Sequence, residues 1–133
     1  MEATISFDLV SPEQLVFNDK VGMIIVPGKE GDIGVLPGHS KFLSSLRSGR
    51  VMVYGEDKQL LKSFFHSGGF VEINPEKCIV LADEVLEMSN LDKTTIEKQI
   101  QELENEESDE SKKLYLIAKS KIEALESKHY EKI

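Results

Sequence analysis

The residues that invite chemistry are few: a glycine-rich stretch, three histidines, one cysteine, an adjacent acidic pair and some serines. Pro27-Gly28-Lys29-Glu30-Gly31-Asp32-Ile33-Gly34 has the glycine density of a phosphate-cradling loop. Such a loop needs Lys followed by Ser or Thr, opening a helix whose first amides face the phosphate. Here Glu30 follows Lys29 and the flanks are strand-like, so the stretch reads as turns between strands. His39, His66 and His129 are scattered, with no second histidine at metal-ligand spacing. With Cys78 alone there is neither an internal disulfide nor a cysteine zinc pattern. His39, after Pro37-Gly38, reads as a turn histidine. Asp83 and Glu84 are adjacent, so on a strand they point to opposite faces and cannot act as a carboxylate pair without a bulge. Ser40 and Ser67 lack the strained strand-turn-helix setting that exposes a nucleophile. No catalytic constellation, metal site or cofactor is expected.

Charge points to surfaces instead. The cluster Glu104, Glu106, Glu107, Asp109 and Glu110 reads as a solvated hairpin tip, with a regulatory electrostatic contact as the other reading. Lys121 interrupts the apolar stripe of the last helical segment. It either snorkels past its neighbours or marks where the helix meets an acidic partner. The net charge of −8 argues against nucleic acid as a partner. Acidic residues outnumber basic ones 13 to 8 before Ser89 and 11 to 8 from there on, so neither part is a basic module.

The elements that must position these groups change character near residue 88. At 133 residues, 40% apolar and 30% charged, the chain has room for one domain with an appendage. All nine glycines and four prolines precede Ser89. They separate ten short β-branched or aromatic runs: 4–10, 14–18, 21–26, 33–36, 42–46, 51–54, 60–66, 70–73, 79–81 and 85–88. Turns at about ten-residue spacing predict a sandwich or barrel. Met23-Ile24-Ile25-Val26 and Cys78-Ile79-Val80-Leu81 are apolar on both parities, which suits strands covered on both faces or an outer face docked on a partner.

From Ser89 the period is helical. Ile96, Ile100 and Leu103 form one stripe, with Asp92 as N-cap. Ser108 caps a second helix whose first turn carries Asp109 and Glu110. Leu114, Ile117, Ala118, Ile122 and Leu125 form its predicted stripe. The fold class is therefore an all-β sandwich, residues 1–88, followed by an antiparallel α-helical hairpin, residues 89–133. Two narrow stripes bury little, so the hairpin is expected to lean on something else.

The segment from Val26 to His39 closely resembles the epsilon subunit of F-type ATP synthases, whose signature is Gly-x-x-Gly-acidic-x-Gly-x-x-Pro-Gly-His. Ser67-Gly68-Gly69-Phe70-Val71-Glu72-Ile73, running into Val80-Leu81-Ala82-Asp83, is a second match. Phe7-Asp8-Leu9-Val10-Ser11-Pro12-Glu13 with Phe17 is a third. The resemblance implies a non-catalytic central-stalk subunit, peripheral on the cytoplasmic face of a bacterial plasma membrane and held there only through the complex. Its sandwich would bind the gamma subunit and rest on the c-subunit ring. Its helices would fold against the sandwich, or extend along gamma toward the catalytic beta subunits and restrain ATP hydrolysis. By the same resemblance Ser11, Gly31, Asp32 and His39 lie at one end of the sandwich, near the ring. Lys112, Lys113, Lys119, Lys121 and Lys128 would make the second helix a regulatory element facing acidic surfaces. No arginine follows Arg50, against the Asp/Arg-Ala pattern of ATP-binding members, so no nucleotide is expected. The rival readings are a generic β-sandwich binding module with a helical oligomerisation tail, and a small metal-dependent β-barrel enzyme.

Overall fold

Period-two patterning becomes alternating burial in the computed structural model, which describes residues 4–126. In β1 (Ile5–Val10) the side chains of Ile5, Phe7 and Leu9 are buried, while Ser6, Asp8 and Val10 are half-buried on the other face. The same logic runs through β2 (Leu15–Val21), β3 (Met23–Gly28), β4 (Gly31–Val35) and β5 (Phe42–Leu46). It continues in β6 (Gly49–Tyr54), β7 (Leu60–His66), β8 (Gly69–Ile73), β9 (Lys77–Ala82) and β10 (Val85–Glu87). The first ladder sheet has the order β4-β3-β6-β7-β10, and the second β5-β8-β9-β1-β2. Gly28 at the end of β3 pairs with Leu46 of β5, which joins the two into one folded-over, ten-stranded sheet.

All pairings are antiparallel except β1 with β9, which run parallel from Ser6↔Lys77 to Val10↔Leu81. Inward side chains of both sheets form one core: Phe7, Leu9, Ile24, Val26, Val51, Val53, Phe64, Val71, Ile73 and Val80 among them. Phe17 links the layers, its ring centroid 5.9 Å from Phe7 and 5.8 Å from Phe64.

A 3₁₀ turn (Met88–Asn90) leads into α1 (Lys93–Leu103) and α2 (Asp109–Glu126). Asp92 caps α1, accepting from the Thr94 amide at 3.2 Å and the Thr95 hydroxyl at 2.7 Å. The Thr95 bond holds its carboxyl below the usual range. Ser108 caps α2 by accepting from the Ser111 amide at 3.1 Å.

The stripe of α2 needs one correction. Leu114 is 42% exposed. The residues that meet Ile96 and Ile100 of α1 are Tyr115, Ala118, Ile122 and Leu125, with Ser111 buried at the start of the helix. A second face of α2 lies on the outer surface of β6 and β7, and a helix with two partners cannot show one clean stripe. The hairpin does lean on the sandwich, as its narrow stripes required. No helix of the described residues is long and apolar enough to cross a membrane.

Candidate interaction surface

The glycine-rich stretch is a tight hairpin. Gly28 pairs with Gly31 across Lys29-Glu30, and β4 follows where a phosphate loop would need a helix. Cys78 is buried, and burial, helped by the Asp8 carboxylate, pushes its thiol up to about 12, so it is no nucleophile at neutral pH. Asp83 and Glu84 occupy the bend between β9 and β10 and are not on a strand. They have separate tasks: Glu84 meets Lys121 at 3.4 Å, while an Asp83 carboxylate oxygen packs beside Gly68. His39 places Nδ1 2.7 Å from the Ser40 carbonyl and its ring 6.4 Å from that of Phe42. Among the described residues, no group of three or more His, Cys, Asp or Glu could hold a metal.

Ser11, Gly31 and Asp32 share one end of the sandwich. The ladder connects them step by step: Val10 pairs with Leu81, Leu81 with Phe70, Gly69 with Leu46, and Leu46 with Gly28. His39 does not join them. It sits on the β4–β5 loop at the opposite end, where Gly38 donates to the Pro75 carbonyl at 2.9 Å and Phe42 pairs with Ile73. The five residues of β5 separate the two ends by about 17 Å. A signature continuous in sequence is thus split by a whole strand. Asp32 is the second residue of β4, and its carboxylate is ion-paired with Arg47 at 2.5 Å.

The lysines of α2 also divide. Lys112, Lys113 and Lys119 are exposed, Lys119 lying 5.6 Å from the Tyr115 ring centroid. Lys121 turns inward, its side chain 15% exposed, against Glu84 and 5.8 Å from the Phe65 ring centroid. Lys128 and His129 lie outside the described residues. The acidic cluster from Glu104 to Glu110 is exposed at the hairpin tip, as expected of a solvated turn.

The outer face of the second sheet carries what single residues did not announce. Leu15 (57% exposed), Leu43 (70%), Phe70 (57%) and Leu81 (53%) all point outward there. Phe70 is opposite Leu81, Leu81 opposite Val10, and Val10 opposite Leu15, so they form a row across β8, β9, β1 and β2. Leu43 is the diagonal neighbour on β5. Contiguous apolar rows of this kind are the surfaces on which proteins commonly meet partners. The both-parity run Cys78–Leu81 was its one local signal; Leu15, Leu43 and Phe70 had none.

Comparison with known proteins gives the same picture at family level. A family profile described as "ATP synthase, Delta/Epsilon chain, beta-sandwich domain" matches residues 4–88. The ATP synthase epsilon chain of Rhodospirillum rubrum is 39% identical over 101 residues, 76% of this chain and 75% of that one. That of Rhodospirillum centenum is 38% identical over 113 residues, 82% and 77% of the two chains. Among solved structures, a chain of the Euglena gracilis mitochondrial ATP synthase (OSCP/F1/c-ring) superposes with a TM-score of 0.75 at 21% identity. The match covers 95% of this chain and 79% of that one. A chain of the Tetrahymena thermophila mitochondrial ATP synthase central stalk and c-ring gives 0.64 at 13% identity, covering 91% and 96%. At such identities these two likenesses speak for the fold.

Proposed function

The chain belongs to the family of ATP synthase epsilon chains, and from that membership we propose that it is a non-catalytic stalk subunit coupling proton-driven rotation to ATP synthesis. The row Leu15, Leu43, Phe70, Leu81 carries this reading, because it is an apolar surface built for a permanent neighbour. The neighbour proposed is the gamma subunit. The end bearing Ser11, Gly31 and Asp32 would then face the c-subunit ring, with Asp32 presented as an Asp32–Arg47 pair. His39, a strand length away, would lie toward gamma or the head. Membrane association, at the cytoplasmic face of a bacterial plasma membrane, would come only through the complex. The exposed Lys112, Lys113 and Lys119 are the groups offered to acidic beta subunits when the helices extend. No cofactor enters the proposal.

Placing carboxylates in the apolar row tests the gamma contact. Phe70→Asp with Leu81→Asp would bury two unpaired charges on binding, and retention of the chain by immobilised gamma should fall at least about tenfold. The far-UV spectrum should not change, since both side chains already face solvent. Undiminished retention would place gamma elsewhere.

A chain ending at Met88 tests both independence and restraint. The core cluster is drawn from residues up to Val85, so residues 1–88 should unfold cooperatively and still bind gamma. Its stability should be reduced, because Met52, Tyr54 and Phe65 lose their cover. The assembled complex carrying it should hydrolyse ATP several times faster, if the helices restrain hydrolysis by biasing a two-state equilibrium worth about 1 kcal/mol or more. A fragment without a transition would overturn the independence of residues 1–88. Identical hydrolysis with and without residues 89–133, at low and high ATP, would overturn the restraint.

A further inference from the structure

Strands β6 and β7 turn Arg50, Met52, Tyr54, Ser63 and Phe65 away from the sandwich core. Met52, Tyr54 and Phe65 are nevertheless 0% exposed, and α2 lies on β6 as part of their cover. Among the described residues, two cations reach across this cover from opposite sides. Arg50, on β6, donates from Nε and Nη2 to the Ser63 hydroxyl at 3.2 and 3.0 Å, and from Nη1 to the Ala124 carbonyl at 3.3 Å. That carbonyl belongs to α2, two residues before the end of its described part. Lys121, on α2, reaches the other way, to Glu84 in the β9–β10 bend and to the face of Phe65 on β7. Ala124 is itself buried, and its small side chain lets the helix backbone approach Arg50.

We propose that Arg50 and Lys121 form a latch that holds α2 on the sandwich, and that Lys121 therefore acts for the folded-back state and against extension. The proposal deepens the reading of α2 as a movable restraint and rests on its having a second, extended position. It reverses the part that the helical charge pattern assigns to Lys121. Among the described residues, the exposed Lys112, Lys113 and Lys119 have no ion pair with the sandwich to lose when the helix leaves. Lys121 does: its side chain is only 15% exposed, and its ammonium is met by Glu84 and the Phe65 ring. Removal of Glu84 leaves that cation poorly paired, and removal of the cation leaves Glu84, half exposed, to water. The ion-pair part of the two losses is thus the same contact counted from each end.

Hydrogen exchange on the full chain tests this. Amides of residues 116–124 are expected to exchange about fivefold faster in Lys121→Gln, as in Glu84→Gln, through easier opening of the helix from the sandwich. The double variant should be no faster than Lys121→Gln alone, the mark of a shared contact. Core amides of β1 and β8 should keep wild-type protection. Unchanged exchange of 116–124 in Lys121→Gln, or effects that simply add in the double variant, would overturn the latch. In the assembled complex, Lys121→Gln is expected to lower ATP hydrolysis, opposite in sign to the truncation at Met88. Faster exchange with unaltered hydrolysis would leave the latch standing and remove the restraint by the extended helix.

Discussion

Alanine in place of Gly69 is expected to destabilise the sandwich by about 3–5 kcal/mol, a large share of the 5–15 kcal/mol typical of a domain. Gly69 opens β8 at φ +133°, a backbone conformation costing an L-residue about 1–3 kcal/mol. The space is also taken: a Cβ there would lie 2.1 Å from the Leu81 carbonyl oxygen and 2.9 Å from the Ala82 Cα. Neither atom belongs to a side chain that can swing away. The β8–β9 ladder must part instead, losing hydrogen bonds worth roughly 1 kcal/mol each. Urea unfolding monitored by circular dichroism measures the effect. Gly34→Ala provides the control, because its Cβ meets no atom within 4 Å, and it should move stability by no more than about 0.5 kcal/mol. A Gly69→Ala protein within 1 kcal/mol of wild type would contradict the geometry.

The second large effect is expected from acid. His66 is fully buried, its Nδ1 3.0 Å from the Gly68 carbonyl and its Nε2 without a hydrogen-bond partner among the described residues. The neutral ring therefore donates from Nδ1 and keeps a bare Nε2. Burial holds its pKa below the usual histidine value, outweighing the Gly68 carbonyl and the Asp83 carboxylate, which favour the cation; Arg47 disfavours it. The unfolded chain, with a histidine pKa near 6.5, takes up this proton before the folded one does. The stability owed to neutral His66 is thus complete above about pH 6.5. It falls as pH drops from there to the folded pKa, by up to about 1.4 kcal/mol per pH unit. Unfolding free energies between pH 7.5 and 5 should show that slope in the wild type and lose it in His66→Phe, whatever the variant's absolute stability. Equal slopes in the two proteins would show that His66 carries no linked proton.

Much of the architecture is legible in residue order, because the interactions responsible are local. The Asp92 and Ser108 caps bond to backbone two and three residues onward, so their signatures lie within one turn. Inward faces such as Ile5-Phe7-Leu9 follow from the period of the strand alone. The absence of glycine and proline after Ser89 marks the change from strand to helix, since both residues are poor in helix interiors. The three family motifs are likewise short and contiguous, and they point to the family without any geometry.

What alternation leaves open is which strands become neighbours, and that decides every surface of this protein. Leu15, Leu43 and Phe70 each look like one stray apolar residue on a polar face, and Leu81 like the end of a run apolar on both parities. Only the β5-β8-β9-β1-β2 order aligns them into a row. Asp32 and His39 share one unbroken motif, yet a strand carries the chain from one end of the sandwich to the other between them. Leu114 stands outside the packed stripe for a related reason. A helix touching both α1 and the sandwich has two partial stripes, and its sequence cannot say which partner each stripe meets. Local patterning determines what an element is, through forces acting within one turn or one pleat. Long-range pairing, which closes loops of tens of residues for contacts encoded at neither end alone, decides what the elements together present.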